Sequence, residues 1–341
     1  MPLPDRLYLD HAATTPVLPA AREAMAAALA RWANPSSPHA EGRAARAALE
    51  DARGRIARAL GWGGEVIFTS GASEALAIGW RRARRSGRWL SPFEHDALRR
   101  IAGDADGARE NALVAQQHVN NETGEIFASP LPLAGGEAVA RTSLFLADCA
   151  QSAAKLPLPD ADLVAVSAHK LGGPPGIGAL LIRDLAMLAA KGGQERGYRG
   201  GTENLPAILG FAAALEAPRD WLARMPALRA RLEDGVRAAG GEVVAADRPR
   251  IPTIGSYRLP GMAATAQLIR LDMAGIAVSA GSACSSGSLR PSHVLAAMGW
   301  PEAAAREVIR VSFGPETDAA AIDRFLAVWT AMARESQARA A

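Results

Sequence analysis

Short apolar runs recur through the first half of this 341-residue chain, and their spacing constrains the fold more than any other feature. EVIFT (65–69), LVAQQHV (113–119), SLFLA (143–147), DLVAVSA (162–168) and GALLIR (178–183) have strand length and are nearly continuous in apolar residues. Strands buried on both faces read this way, whereas a half-solvated strand alternates. Stretches rich in Ala, Arg, Glu and Leu at 17–32 and 40–60 read as helices, and SGASEALAIGW (70–80) reads as a turn running into another. Helical patterns between such strands predict an α/β fold with a mainly parallel sheet.

Near PRDWL (218–222) the pattern changes. Helices at 225–239, 263–274, 291–299 and 318–335 alternate with strands near 242–245, 252–258 and 307–313, and a short strand leads into SAGSACSSGS (279–288). The expected organisation is a large domain over 15–218 and a smaller α/β domain built from 1–14 and 219–341.

Bulk properties exclude several classes. Hydrophobic residues at 49% and charged residues at 21% describe an ordinary soluble globular protein. The opening MPLPDRLYLDHAATTP has no basic stretch followed by an apolar core, so no signal peptide is expected, and no apolar run is long enough to span a bilayer. Two cysteines without CxxC spacing argue against a disulfide framework or a zinc site, and the expected setting is the reducing cytoplasm. A net charge of +3 does not predict direct nucleic-acid binding, and RRARRSGR (81–88) reads as the solvated end of a helix.

Ligands of open α/β sheets bind beyond the carboxyl ends of the strands, so the residues that close each run carry the functional signal. SLFLA closes on Asp148, DLVAVSA on His169 and Lys170, and LVAQQHV on Asn120 and Asn121. Singly these read as a helix cap, a polar strand exit and a turn. Together they supply a lysine, a carboxylate and amides at one sheet edge. Composition also singles out the lysine. Of 38 basic residues, lysine occurs at 155, 170 and 191 alone, and arginine cannot become an amine nucleophile. TSGAS (69–73) adds a glycine turn into a helix N-terminus, a favourable place for a phosphate. An amine for an aldehyde, a carboxylate for a pyridine nitrogen and a phosphate cradle are the requirements of pyridoxal 5'-phosphate.

The motifs that surround these residues occur in a fixed order along nearly the whole chain. They are YLDHAATTP (8–16), NPSSPH (34–39), FTSGASE (68–74), EH (94–95), HVNNETG (118–124) and DCAQSAAKLP (148–157). SAHK (167–170), ERGYRGGTEN (195–204), SAGSACSSGS (279–288) and IRVSFG (309–314) follow. In this set the sequence resembles the cysteine desulfurases of the class-V aminotransferase family, in the branch of nitrogen-fixation and iron–sulfur housekeeping enzymes. The resemblance implies the fold type I architecture of pyridoxal-phosphate transferases and a homodimer. It implies that Lys170 holds the cofactor covalently, Asp148 pairs with its ring nitrogen, Gln151 bonds the ring hydroxyl, and His95 stacks on the ring. Ala72, Ser73, Ser167 and His169 would bind the phosphate, with Thr202 reaching in from the second subunit. Asn121, Arg310 and Asn34 would hold the substrate, Arg310 by its carboxylate. No residue is expected to bind a metal.

The resemblance also gives Cys284 a task. Substrate L-cysteine would lose its sulfur to the Cys284 thiolate, leaving alanine and a persulfide for a sulfur-acceptor protein such as an iron–sulfur scaffold or a thiolation enzyme. Glycine and serine around Cys284 suit a movable tether, while Cys149 reads as a packed small residue. The alternatives are another class-V enzyme (selenocysteine lyase, transaminase or epimerase) or a non-enzymatic sulfur-transfer scaffold. The chain departs from the family pattern at Ala75 and Leu76, where small polar residues are usual, and at Gly173-Pro174-Pro175, which lacks a customary lysine. The segment 80–112 is compressed, and the family's C-terminal extension is not seen.

Overall fold

A computed structural model of the protein describes residues 6–31, 33–103, 105, 111–127, 142–280 and 292–340. The chain opens with β1 (Leu7–Tyr8), α1 (Pro19–Leu29), α2 (Ala40–Ala59), β2 (Glu65–Thr69) and α3 (Ala72–Arg82). Next come β3 (Gly87–Leu90), α4 (Asp96–Ala102), β4 (Ala112–Gln117), β5 (Leu144–Asp148), β6 (Leu163–Ser167) and β7 (Gly178–Ile182). Then follow α5 (Leu205–Glu216), α6 (Met225–Ala238), β8 (Glu242–Val243), β9 (Ile254–Arg258), α7 (Ala264–Met273) and β10 (Ile276–Ala277). The last are α8 (His293–Ala297), α9 (Glu302–Ala305), β11 (Val308–Ser312) and α10 (Ala319–Ala340). They form two units, one of Thr14–Val119 and Phe127–Pro218, the other of Met1–Ala13, Asn120–Ile126 and Arg219–Ala341.

In the larger unit six described strands form one sheet in the order β2-β7-β6-β5-β4-β3. The pairs β3/β4, β4/β5 and β5/β6 are parallel, and β7 runs antiparallel to both β2 and β6. Hence β2 through β6 share one direction and their carboxyl ends share one edge. Every residue of β4 to β7 is buried, which is why these strands are apolar without alternation. Successive side chains feed opposite layers. Phe68, Val164 and Leu181 pack with Leu49 and Ile56 of α2 and Ile208 and Phe211 of α5. Ile67, Leu146 and Leu180 pack on the other face with Leu76 and Trp80 of α3 and Leu98 of α4. Each such side chain contributes about 1.5–3 kcal/mol. Ala75 and Leu76 belong to this second layer, so apolar residues at those positions serve the core.

The arginine run at 81–88 is a solvated helix end only at Arg81, which is exposed in the last turn of α3. Helix α3 stops at Arg82 and the chain turns into edge strand β3 at Gly87. Such a turn leaves carbonyls without partners, and the guanidinium groups supply them. Arg88 donates to the carbonyls of Trp80 (3.0 Å) and Ala83 (3.1 Å), Arg82 to Tyr198 (2.8 Å), and Arg84 to Leu188 (3.2 Å).

The smaller unit holds the antiparallel sheet β11-β9-β8 and the parallel pair β1/β10. Its core gathers Leu9, Leu232, Val236, Tyr257, Ile309, Phe325 and Trp329. The segment 120–126, which follows directly on the run 113–119 of the large sheet, groups with this unit. The amide of Ile126 donates to Pro249 (2.8 Å), the amide of Ile251 to Gly124 (2.8 Å), and the Ser256 hydroxyl to Glu122 (2.8 Å). Gly124 turns at φ +76°, and a Cβ there would stand 2.5 Å from the Ile254 carbonyl oxygen, so glycine is required. No helix among the described residues is long and apolar enough to cross a membrane.

Candidate active site

In the larger unit the predicted residues collect at the shared carboxyl edge of the sheet. Register sets Thr69, Gly178 and Ser167 side by side across β2, β7 and β6. The turn after β2 and the end of β6 are therefore neighbours but one, about 9.5 Å apart at the usual strand spacing. Gly71 precedes α3 with φ 155° and ψ −179°, a region open essentially to glycine alone. A Cβ at Gly71 would come 4.0 Å from the Ser167 hydroxyl, so the missing side chain keeps open the space facing that donor. The amides of Ala72 and Ser73 stand in the first turn of α3, where a helix offers no internal acceptor. Glu74 instead accepts from the Ser70 amide, which fixes the turn.

His169 and Lys170 follow Ser167 in a short helical turn and are half-buried. Thr15 donates its amide to the His169 carbonyl (2.8 Å), and the Thr14 hydroxyl lies 3.1 Å from His169 Nδ1. Burial, with the Lys170 charge adding to it, pushes the His169 imidazole down to about 4. It is neutral at pH 7 and meets an anion as a dipolar donor. Asp148 ends β5 in register with Ala165 of β6, and its Oδ1 accepts from the Ala150 amide (2.8 Å). Gln151 is buried in the turn that follows. His95 is the N-cap of α4, and its Nδ1 accepts from the Ala97 amide (3.1 Å), which leaves the ring proton on Nε2.

These residues fit pyridoxal phosphate. A glycine-opened anion cradle, a lysine and a buried carboxylate stand at one strand edge, which is the donor set that the cofactor's phosphate, aldehyde and ring nitrogen require.

One acidic group here was not assigned by sequence. Glu94 is fully buried, and burial together with the Asp148 charge holds its carboxyl well above the usual range. Both causes disfavour a second negative charge beside Asp148. Cys149 is also fully buried, and burial pushes its thiol far up. Cys149 is therefore expected to resist iodoacetamide at neutral pH until the chain unfolds, as peptide mass mapping would read. Early label at Cys149 would contradict its burial.

The smaller unit carries its own cluster. Arg310 on β11 is 5% exposed; its Nη2 donates to Asp10 Oδ1 (2.8 Å) and its Nη1 to the Asn121 carbonyl (2.9 Å). Its buried Nε has no hydrogen-bond partner in the described chain, so a donor remains for a carboxylate. Asp10 was invisible as a partner in sequence, being 300 positions away. Tyr8 donates to the Asp10 carbonyl (3.1 Å), and burial and then Asp10 push its phenol up to about 12. Arg310 also exchanges backbone hydrogen bonds with Ser279, which opens the cysteine-bearing segment.

Three expectations stand apart. Asn34 is exposed and its side-chain oxygen accepts from the Ser36 amide (2.9 Å), an Asx turn. Thr202 is exposed in the stretch before α5. Cys284 lies outside the described residues.

Comparison with known proteins gives the family. The aminotransferase class-V family model matches residues 7–95 and 104–325. A cysteine desulfurase from Cereibacter sphaeroides is 36% identical, with 95% of each chain covered. The X-ray structure of a NifS-like protein from Rickettsia africae matches with a TM-score of 0.84 at 26% identity, covering 96% of this chain and 99% of that one. SspA in complex with cysteine matches with a TM-score of 0.75 at 30% identity, covering 91% and 99%. The chain belongs to the aminotransferase class-V family, among relatives named cysteine desulfurase.

Proposed function

We propose that the protein is a pyridoxal-phosphate-dependent cysteine desulfurase that converts L-cysteine to L-alanine and leaves a persulfide on Cys284. The observation that carries this reading is the place of Lys170, one residue beyond the phosphate-facing donors Ser167 and His169, at the strand edge that also bears Asp148. Similarity to cysteine desulfurases over nearly the whole chain supports the substrate.

When bound, the cofactor supplies an electron sink for the carbon next to the substrate carboxylate. Lys170 Nζ would anchor it and then take the Cα proton of L-cysteine. The Asp148 carboxylate would keep a proton on the ring nitrogen, and the Gln151 amide would donate to the ring hydroxyl. His95, with its proton on Nε2, would cover the ring face. Arg310, set by Asp10 and the Asn121 carbonyl, grips the substrate carboxylate. The Cys284 thiolate attacks the substrate sulfur. A sulfur–sulfur bond forms, the Cβ–S bond breaks, and its electron pair stays with the carbon skeleton, which is protonated to alanine. No external oxidant is needed. The persulfide then passes to an acceptor protein in a reducing compartment, and the working unit is a homodimer.

The direct test supplies L-cysteine with a thiol reductant and measures alanine and sulfide in equal amounts. Alanine without sulfide, or neither, refutes the assignment. Asp148→Asn should retain cofactor and slow Cα proton removal by about 10²–10³, the loss of one well-placed electrostatic partner, about 2.7–4 kcal/mol. Deuterium exchange at Cα reports this step, and near-normal exchange would place the nitrogen's partner elsewhere.

A further inference from the structure

The segment that carries Thr202 starts in backbone that side chains rarely adopt. Glu195 and Arg196 are consecutive left-handed residues, with φ +48° and +56°, and neither is glycine. Such a path persists where the surroundings over-determine it. Here the constraint is visible. The Glu195 side chain is fully buried, and its two oxygens meet the Arg53 fork, with Nη1 to Oε2 at 2.7 Å and Nη2 to Oε1 at 3.0 Å. Oε2 also accepts the Phe68 amide of β2 (2.8 Å), while Arg53 Nη1 donates to the Val66 carbonyl (2.6 Å). Four residues on, Arg199 Nε lies 3.4 Å from Glu74, the carboxylate that fixes Ser70 in the cradle. The far end is pinned by Asn204, which caps α5 through the Ala207 amide (3.2 Å). Between the two anchors Gly201 and Thr202 are exposed.

We propose that Glu195 is a positioning residue that, clasped by Arg53 and the Phe68 amide, holds the strained segment so that Thr202 is offered to the cofactor phosphate of a second copy of the chain. The inference rests on the reading of Thr202 as a donor in trans. A carboxylate is needed because all three groups facing it are N–H donors. Glutamine would turn an NH₂ group toward one of them and lose the paired alignment.

Mixed dimers test this. One subunit carries Lys170→Ala, so the intact subunit alone holds cofactor on a lysine, and cofactor loss into a scavenger is followed by visible absorbance. Glu195→Gln on the Lys170→Ala subunit is expected to speed loss from the intact subunit about tenfold, the effect of one hydrogen bond to a charged group. Thr202→Ala on that subunit should do the same, and the two together should add nothing. In the reciprocal dimer, with Glu195→Gln on the subunit that keeps Lys170, loss should stay at the wild-type rate; faster loss in this arrangement alone, as a purely structural role would give, overturns the inference, and so does additivity with Thr202→Ala. If Thr202→Ala on the lending subunit is silent, the trans reading itself fails. Arg53→Lys, which keeps the charge and loses the fork, is read in the same way should the Glu195→Gln subunit not assemble.

Discussion

Lys170→Arg is expected to abolish both cofactor attachment and alanine production. Arginine keeps the positive charge beside His169 but has no amine to condense with an aldehyde and none to take the Cα proton. General-base loss alone costs about 10²–10⁴ in rate, and loss of the covalent anchor adds to it. The site should survive the substitution: Lys170 lies in a three-residue helical turn after β6, and its half-buried position tolerates a side chain of similar length. Borohydride reduction followed by peptide mapping should place the reduced cofactor on Lys170 in the wild type and on no residue in the variant. The other lysines are poor substitutes by position. Lys191 is exposed, and Lys155 closes the turn after Gln151. Label on either one, or unchanged absorbance in Lys170→Arg, would overturn the assignment.

The large sheet was legible because most of its strands are buried on both faces. An unbroken apolar run then has few explanations, and β2 and β4 to β7 fall on such runs. Strand β3 escapes this logic. It is an edge strand, GRWL, with Arg88, Trp89 and Leu90 half-buried, and the arginines before it imitate a solvated helix end. Helix α5 is hidden for the opposite reason. LPAILGFAAALE is buried at most of its positions, so it shows no polar face to mark a helical period. An apolar run leads directly into Asn121, and the chain changes unit at Asn120. Nothing local announces that Gly124 redirects the chain against Ile254 of the smaller unit.

The candidate site was legible where one strand end supplies one chemical type, as at Asp148, Ser167 and Lys170. It was illegible where function depends on pairs. Asp10 and Arg310, or Arg53 and Glu195, are separated by 300 and 142 residues, and a single sequence carries no record of which carboxylate meets which guanidinium. The upward shift of the Glu94 carboxyl is likewise a property of its surroundings. The dipeptide Glu94-His95 looks like two exposed polar residues, while the fold buries the first completely beside Asp148.

Cys284→Ser is expected to separate binding from sulfur transfer. The variant keeps Lys170, Asp148 and Arg310, so L-cysteine should still bind and alter the cofactor's absorbance. Alanine release should fall by more than about 10²-fold, since removing a covalent nucleophile has cost about 10⁶ in kcat in a well-studied enzyme. The reason lies in the nucleophile: the thiolate is the reactive form of cysteine, and near neutral pH a serine hydroxyl offers no comparable anion toward sulfur. Cys149 cannot stand in, because burial holds its thiol protonated and out of reach of substrate. Cys149→Ser should accordingly retain most activity. In the wild type, mass spectrometry after a pulse of L-cysteine without reductant should find one added sulfur on the peptide that carries residues 279–288. A transaminase or epimerase would show neither the added mass nor the dependence on Cys284. Full activity in Cys284→Ser, with sulfur on Cys149 or on no residue, would require the substrate carbon–sulfur bond to break without a protein thiol and would end the mechanism proposed here.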